Sequence, residues 1–222
     1  MSATLNRLTL ETDMTQAVKN ADVVIEAVPE SIQLKLDVFN RLDRACPSHT
    51  ILASNTSALS ITEMAAVTKR PSQFIGMHFF NPVHKMKLVE LIRGLETSDE
   101  TLKAAEFLAR TMGKETVKVK ESPGFVTTRI NALVGNEAFC MLQEGIASAR
   151  DIDKAIKLGL NYPMGPFEMI DIVGLDKRLS ILNFLFERLG EKYRPCPLMV
   201  KYVEAGRLGK KVGKGVYDYS KG

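Results

Sequence analysis

The chain contains 222 residues, 45% of them apolar and 25% charged, which is typical of a folded protein with one or two domains. It has no apolar run of roughly 18 residues, as a membrane span needs, and no apolar segment of the signal-peptide kind at its start. We therefore expect a cytoplasmic protein without a membrane span. The net charge of +4 is modest, and no nucleic-acid motif is present, so we expect no nucleic-acid binding. The widely spaced Cys46, Cys140 and Cys196 predict free thiols and no metal site.

The first half of the chain alternates predicted helices with predicted strands. Short apolar runs bounded by turn residues predict strands at 23–28, 50–53, 74–79, 87–92 and 116–119. Helical spacing of apolar residues predicts helices at 13–20, 31–45, 61–67 and 102–112. This alternation is typical of βαβ units and indicates a mainly parallel sheet.

The pattern changes at Glu121-Ser122-Pro123-Gly124 and becomes almost purely helical. Helices or mostly helical segments are predicted at 129–145, 149–159, 165–189 and 198–205, and a last short strand at 216–217. We therefore predict two domains, at 1–121 and 122–222, of which the second is all-helical.

The predicted sheet domain lacks an expected beginning. A complete dinucleotide-binding domain opens with a strand, a GxGxxG turn and a helix, within a βαβ unit of about 30 or more residues. No such glycine run precedes the strand that begins at residue 23. The sequence thus predicts a partial Rossmann-like domain that lacks its first βαβ unit. The later glycine segment at 209–215 lacks the GxxxxGK[ST] order of a phosphate-binding loop and predicts a tight turn.

Polar side chains follow the first two predicted strands. Ligands on parallel sheets bind beyond the carboxyl ends of the strands, where this chain carries Pro29-Glu30 and Ser54-Asn55-Thr56-Ser57. Asn55 and Ser57 could donate hydrogen bonds to a substrate or a cofactor. The same run is also ordinary turn and helix-capping chemistry, and the absence of a GxSxG motif argues against Ser57 as an acyl nucleophile.

A histidine and a glutamate lie in two neighbouring apolar strands. If the chain doubles back around His84, His78 and Glu90 face each other, because each lies six residues from the turn. A carboxylate beside an imidazole fixes its tautomer and favours its protonated form, as a general base requires. The alternative is a buried, structural histidine and an unrelated glutamate.

Six ordered segments of the chain resemble the 3-hydroxyacyl-CoA dehydrogenase family, and most of all its short-chain 3-hydroxybutyryl-CoA members. They are ADVVIEAVPE, ASNTSALSI, GMHFFNPVHKMKLVELI, SPGFVTTRI, LGLNYPMGPFEMIDIVGLD and GKKVGKGVYDY, at 21–30, 53–61, 76–92, 122–130, 158–176 and 209–219. The resemblance implies NAD-dependent or NADP-dependent oxidation of a short-chain 3-hydroxyacyl-CoA, or the reverse reduction, in fatty acid metabolism. It implies that His78 is the general base, that Glu90 orients it, and that Ser57 binds the substrate oxygen.

The resemblance also implies cofactor contacts. Glu30, Lys35 and Asn55 would lie along the nicotinamide side of the cofactor, and Asn81 would help to place the site. Where the family usually has an asparagine after its PGF segment, this chain has Thr128, whose hydroxyl can still donate one hydrogen bond to the substrate site.

Two classes of function remain open from the sequence. The chain, or its longer parent, is an active dehydrogenase, or it is a truncated, inactive remnant that only dimerises through its helical domain. Apolar helical runs such as residues 181–186 favour a homodimer through the C-terminal helices. A relative that acts on hydroxy acids or sugar acids without CoA fits the fold but not the HFFNP and MGPFE segments.

Overall fold

The computed structural model describes residues 5–220. The chain divides between Phe125 and Val126 into two compact units.

The first unit is an α/β unit with a five-stranded sheet. Its strands are β1 (Val23–Glu26), β2 (Ile51–Ser54), β3 (Phe74–Phe79), β4 (Leu88–Arg93) and β5 (Glu115–Lys120). Its helices are α1 (Met14–Val18), α2 (Ile32–Ala45), α3 (Ile61–Ala66) and α4 (Asp99–Thr111). The strands lie in chain order, and only the β3–β4 pair is antiparallel among the pairings of the described residues. The prediction of a mainly parallel sheet is confirmed.

Several element boundaries differ from the prediction by one or more residues, and two of these differences have local electrostatic reasons. The first strand ends at Glu26 and not at Val28, because the Glu26 carboxylate accepts the Val28 backbone N–H at 2.6 Å and turns the chain. Helix α4 begins three residues earlier than predicted. Ser98 caps it by accepting the N–H of Thr101, and the acidic Asp99 stabilises the positive helix start.

Helices cover both faces of the sheet. On one face, α2 packs Phe39 against Phe74, whose ring centroid lies 4.5 Å away in an edge-on arrangement. On the other face, α4 packs against Ile75 and Met77, which are fully buried. Because successive side chains of a strand alternate between faces, His78 lies on the same face as Phe74.

The second unit is all-helical among the described residues, apart from single bridges near its end. Its helices are α5 (Thr127–Glu144), α6 (Ala149–Gly159), α7 (Pro166–Val173), α8 (Leu175–Leu189) and α9 (Pro197–Glu204). The single helical stretch expected at 165–189 is in fact two helices. Gly174 separates them. Its φ of 105° is a backbone conformation that would be strained for a residue with a side chain.

The strand predicted at 216–217 does not form, and this expectation was wrong. The backbone N–H groups of Val216 and Tyr217 donate to the buried Asp171 carboxylate, at 2.8 and 2.9 Å, instead of to a neighbouring strand. A Cβ atom on Gly215 would lie 2.0 Å from Asp171 Oδ1, so this close approach requires glycine. The glycine-rich end therefore wraps a carboxylate in the helical unit. Over the described chain, no helix combines the length and the apolar character of a membrane span.

Candidate active site

The β3–β4 hairpin brings His78 and Glu90 together. The two residues are directly paired across the antiparallel strands, and His78 Nδ1 lies 2.7 Å from Glu90 Oε2. Their side chains are 7% and 0% exposed. The pairing expected from the symmetric spacing around His84 is therefore present.

This contact decides which ring nitrogen carries the proton. An ionised carboxylate only accepts hydrogen bonds, so Nδ1 of His78 is the donor to Glu90. The neutral imidazole then has Nε2 as its acceptor nitrogen, and Glu90 stabilises the imidazolium when Nε2 takes up a proton. The rings of Phe80 and Phe125 lie 4.5 and 6.0 Å from the imidazole, which makes its surroundings apolar. Such an arrangement is chemically suited to an oriented general base.

Asn55 joins the ends of two strands beside the histidine. Its side-chain Oδ1 accepts the backbone N–H of Phe79 at 2.8 Å, one residue beyond His78. This bond uses the carbonyl of the Asn55 amide and leaves the NH₂ group as a donor at the carboxyl edge of the sheet.

Glu30 holds the turn that carries Ser57. Glu30 Oε1 accepts the Ser57 backbone N–H at 2.8 Å and the Thr56 hydroxyl at 2.5 Å. The Thr56 hydroxyl in turn accepts the N–H of Leu59 at 3.0 Å, so the turn after β2 is fixed by side chains from both sides. Thr56 was not a predicted site residue, although its place in the polar run at 54–57 was a usable signal.

Lys35 is almost completely buried. Its ammonium lies 2.7 Å from Glu26 Oε1, 3.2 Å from the Val28 carbonyl and 3.6 Å from Glu30 Oε2. The other Glu26 oxygen accepts the Ser54 hydroxyl at 2.7 Å. Lys35 therefore lies at the carboxyl end of β1, where it joins Glu26 to Glu30. Its contact with a cofactor stays a prediction.

The remaining two predicted residues are Asn81 and Thr128. Asn81 is exposed in the turn between β3 and β4. Thr128 is buried at the start of α5, in the second unit. Their assigned roles also stay predictions.

The donor set at the carboxyl edge fits one half of a dinucleotide. The Glu30 side chain is 39% exposed and can accept from a ribose hydroxyl, while the Asn55 amide can donate to a carboxamide oxygen. These groups suit the nicotinamide–ribose half. For the adenosine half, the 222 residues contain no glycine-rich turn of the GxGxxG type.

Two family models match the chain in order. The first is described as 3-hydroxyacyl-CoA dehydrogenase, NAD binding domain, and matches residues 1–122. The second is described as 3-hydroxyacyl-CoA dehydrogenase, C-terminal domain, and matches residues 124–219. Together they cover almost the whole chain.

Several named proteins are similar to this chain over nearly its whole length. A probable 3-hydroxybutyryl-CoA dehydrogenase of Bacillus subtilis (strain 168) is 53% identical, over 99% of this chain and 76% of that protein. A 3-hydroxybutyryl-CoA dehydrogenase of Clostridioides difficile is 50% identical, over 91% of this chain and 73% of that protein. The crystal structure of (S)-3-hydroxybutyryl-CoA dehydrogenase from Ralstonia eutropha has a TM-score of 0.94 and 49% identity, and the match covers 99% of this chain and 77% of that one.

Proposed function

We propose that this chain, which belongs to the 3-hydroxyacyl-CoA dehydrogenase family, acts on short-chain 3-hydroxyacyl-CoA substrates. It matches both the NAD-binding and the C-terminal domain models of that family. The proposed reaction converts (3S)-3-hydroxybutyryl-CoA to acetoacetyl-CoA, or reverses it, within fatty acid metabolism. The observation that carries the chemistry is the buried hydrogen bond between His78 and Glu90. Relatives named 3-hydroxybutyryl-CoA dehydrogenase, at 46–53% identity, support the short acyl chain.

His78 acts as the general base in this proposal. Its Nε2 takes the proton from the substrate 3-hydroxyl, and the C–O bond becomes a carbonyl as the hydride leaves C3. When bound, NAD supplies the acceptor for that hydride. Glu90 stabilises the imidazolium that results. In the reverse direction, the His78 imidazolium returns its proton to the alkoxide oxygen formed at C3.

The remaining residues orient the reactants. The Ser57 hydroxyl donates to the substrate oxygen, while Glu30 and Asn55 contact the nicotinamide–ribose half of the cofactor. Lys35 is anchored by its buried ion pair with Glu26, and its ammonium holds the Glu30 carboxylate in place. Orientation of this kind is the main contribution that a protein makes to hydride transfer.

Asn81 would help to place the cofactor after the strand that carries His78, and the Thr128 hydroxyl would donate a hydrogen bond to the substrate. In the same proposal, residues 1–121 form the NAD-binding domain, although without a glycine-rich turn. Residues 122–222 form a helical domain that dimerises with a second copy, and the homodimer works in the cytoplasm.

The direct test is reduction of acetoacetyl-CoA by the purified protein, followed by loss of NADH or NADPH absorbance in separate assays. A turnover rate that falls as the 3-ketoacyl chain lengthens supports the proposal. The cofactor that gives the higher turnover rate, NADH or NADPH, is the one that the protein uses. Acetoacetate without CoA is the matched control, because a hydroxy-acid enzyme would reduce it equally well. Dimers without any turnover would instead support the inactive remnant and overturn the proposed function.

A further inference from the structure

A buried arginine in the second unit has an unsatisfied donor. Arg178 lies on α8 and is 4% exposed. Within residues 5–220, its Nε atom has no hydrogen-bond partner. Buried polar atoms are nearly always paired, and a buried charge without a partner costs several kcal/mol, about as much as the whole stability of some domains.

Among the described residues, no acidic side chain compensates this charge. Burial alone lowers the pKa of Arg178 to about 10, with no contribution from a carboxylate. The acids nearest to it in sequence are engaged elsewhere. Asp176 pairs with Lys211 at 2.6 Å, and Asp171 accepts the backbone N–H of Val216.

The arginine lines a small cavity between α5, α7 and the loop before α7. The cavity has a volume of about 20 Å³, and its polar lining includes Asn131 and Tyr162 as well as Arg178. A glycine in α5 keeps this space open. A Cβ atom on Gly135 would lie 2.9 Å from Ile170 Cδ1 and 3.9 Å from Arg178 Nε. A cavity needs only about 10–15 Å³ to hold one water, so one small species fits.

We propose that this cavity binds one small monovalent anion, such as chloride, with the Arg178 guanidinium as its principal ligand. The Asn131 amide and the Tyr162 hydroxyl supply further donors. A water molecule could accept the bond from Nε, but it carries no charge and would leave the guanidinium uncompensated. The proposal does not depend on the proposed function.

The test compares thermal unfolding in sodium chloride and in sodium gluconate at equal ionic strength, because gluconate is a much larger monovalent anion than chloride. The unfolding midpoint of the unmodified protein should be higher in chloride and should saturate as chloride increases. Arg178→Met should abolish the difference between the salts. Arg188→Met, an equal substitution at an exposed position of the same helix, should keep it. Equal midpoints in both salts, or a chloride effect that persists in Arg178→Met, would overturn the proposal.

A second measurement decides the question if Arg178→Met does not fold. Crystals of the unmodified protein soaked in sodium bromide should show an anomalous peak at the Arg178 guanidinium. A soaked crystal with no bromide there, or with a carboxylate of a second copy on Arg178, would show that the cavity is not a small-anion site.

Discussion

The buried ion pair between Lys35 and Glu26 allows a quantitative prediction. Both side chains are 1% exposed, and the charged atoms are 2.7 Å apart. Lys35→Met keeps much of the side-chain volume but leaves the Glu26 carboxylate buried beside no cation. Breaking a buried pair in this way costs about 3–5 kcal/mol. Because Glu26 still accepts from Val28 and Ser54, we expect the lower end, about 3 kcal/mol.

The assay is urea unfolding at neutral pH, with thermal unfolding as a second measure. A loss of about 3 kcal/mol in the free energy of unfolding corresponds to a thermal midpoint lower by roughly 6–12 °C for a chain of this size. Lys118→Met is the matched control, since the Lys118 side chain is 54% exposed in its pair with Glu106, and we expect little change in its midpoint.

The double variant Glu26→Gln with Lys35→Met should recover part of the loss, because it removes the stranded charge. The sum of the single effects should therefore exceed the double effect, by roughly 0.5–3 kcal/mol. If the free energy of unfolding of Lys35→Met lies within about 1 kcal/mol of that of the unmodified protein, the Lys35 ammonium is solvated in the unmodified protein and the reasoning fails.

Two further predictions concern packing and pH. Gly76→Ala should destabilise by about 1–3 kcal/mol in urea unfolding, because its Cβ would lie 2.8 Å from Ile61 Cδ1 and 2.9 Å from Ile92 Cβ. An unchanged midpoint would mean that these neighbours move freely. The Lys157 hydrogen bond lowers the pKa of Glu168 in the folded protein. The ionised Glu168 therefore stabilises the fold above the usual glutamate pKa of 4.5, and this stabilisation is lost as the pH falls through the lowered pKa. The midpoint of Glu168→Gln should therefore lie below that of the unmodified protein at neutral pH and should converge with it in acid. A gap that widens in acid would contradict this.

Much of the first unit could be predicted because its strands are short apolar runs between turn residues. The facing positions of His78 and Glu90 followed from counting residues around a turn, since antiparallel pairing is symmetric about it. The burial of Lys35 could not be predicted in this way. A lysine on a helix is usually solvated, and only the fold brings the Lys35 ammonium to Glu26.

The second unit shows a different limit of prediction from sequence. The run at 216–217 has the β-branched and aromatic residues of a strand, yet its backbone donors bind Asp171, which is 45 residues away from Val216. The break at Gly174 was equally hidden, because glycine within an apolar helical pattern is often tolerated. The burial of Arg178 also has no sequence signal, since it depends on how three elements pack.

The most direct test of the central claim is the acetoacetyl-CoA reduction rate of His78→Gln beside that of the unmodified protein. NADH binding is measured in parallel by fluorescence, and His84→Gln, an exposed histidine in the turn, is the control. Because a positioned general acid–base group contributes roughly 10²–10⁴-fold, we expect His78→Gln to lose that much of kcat with NADH affinity unchanged. A His78→Gln rate within about tenfold of the unmodified protein would mean that the proton passes through another group.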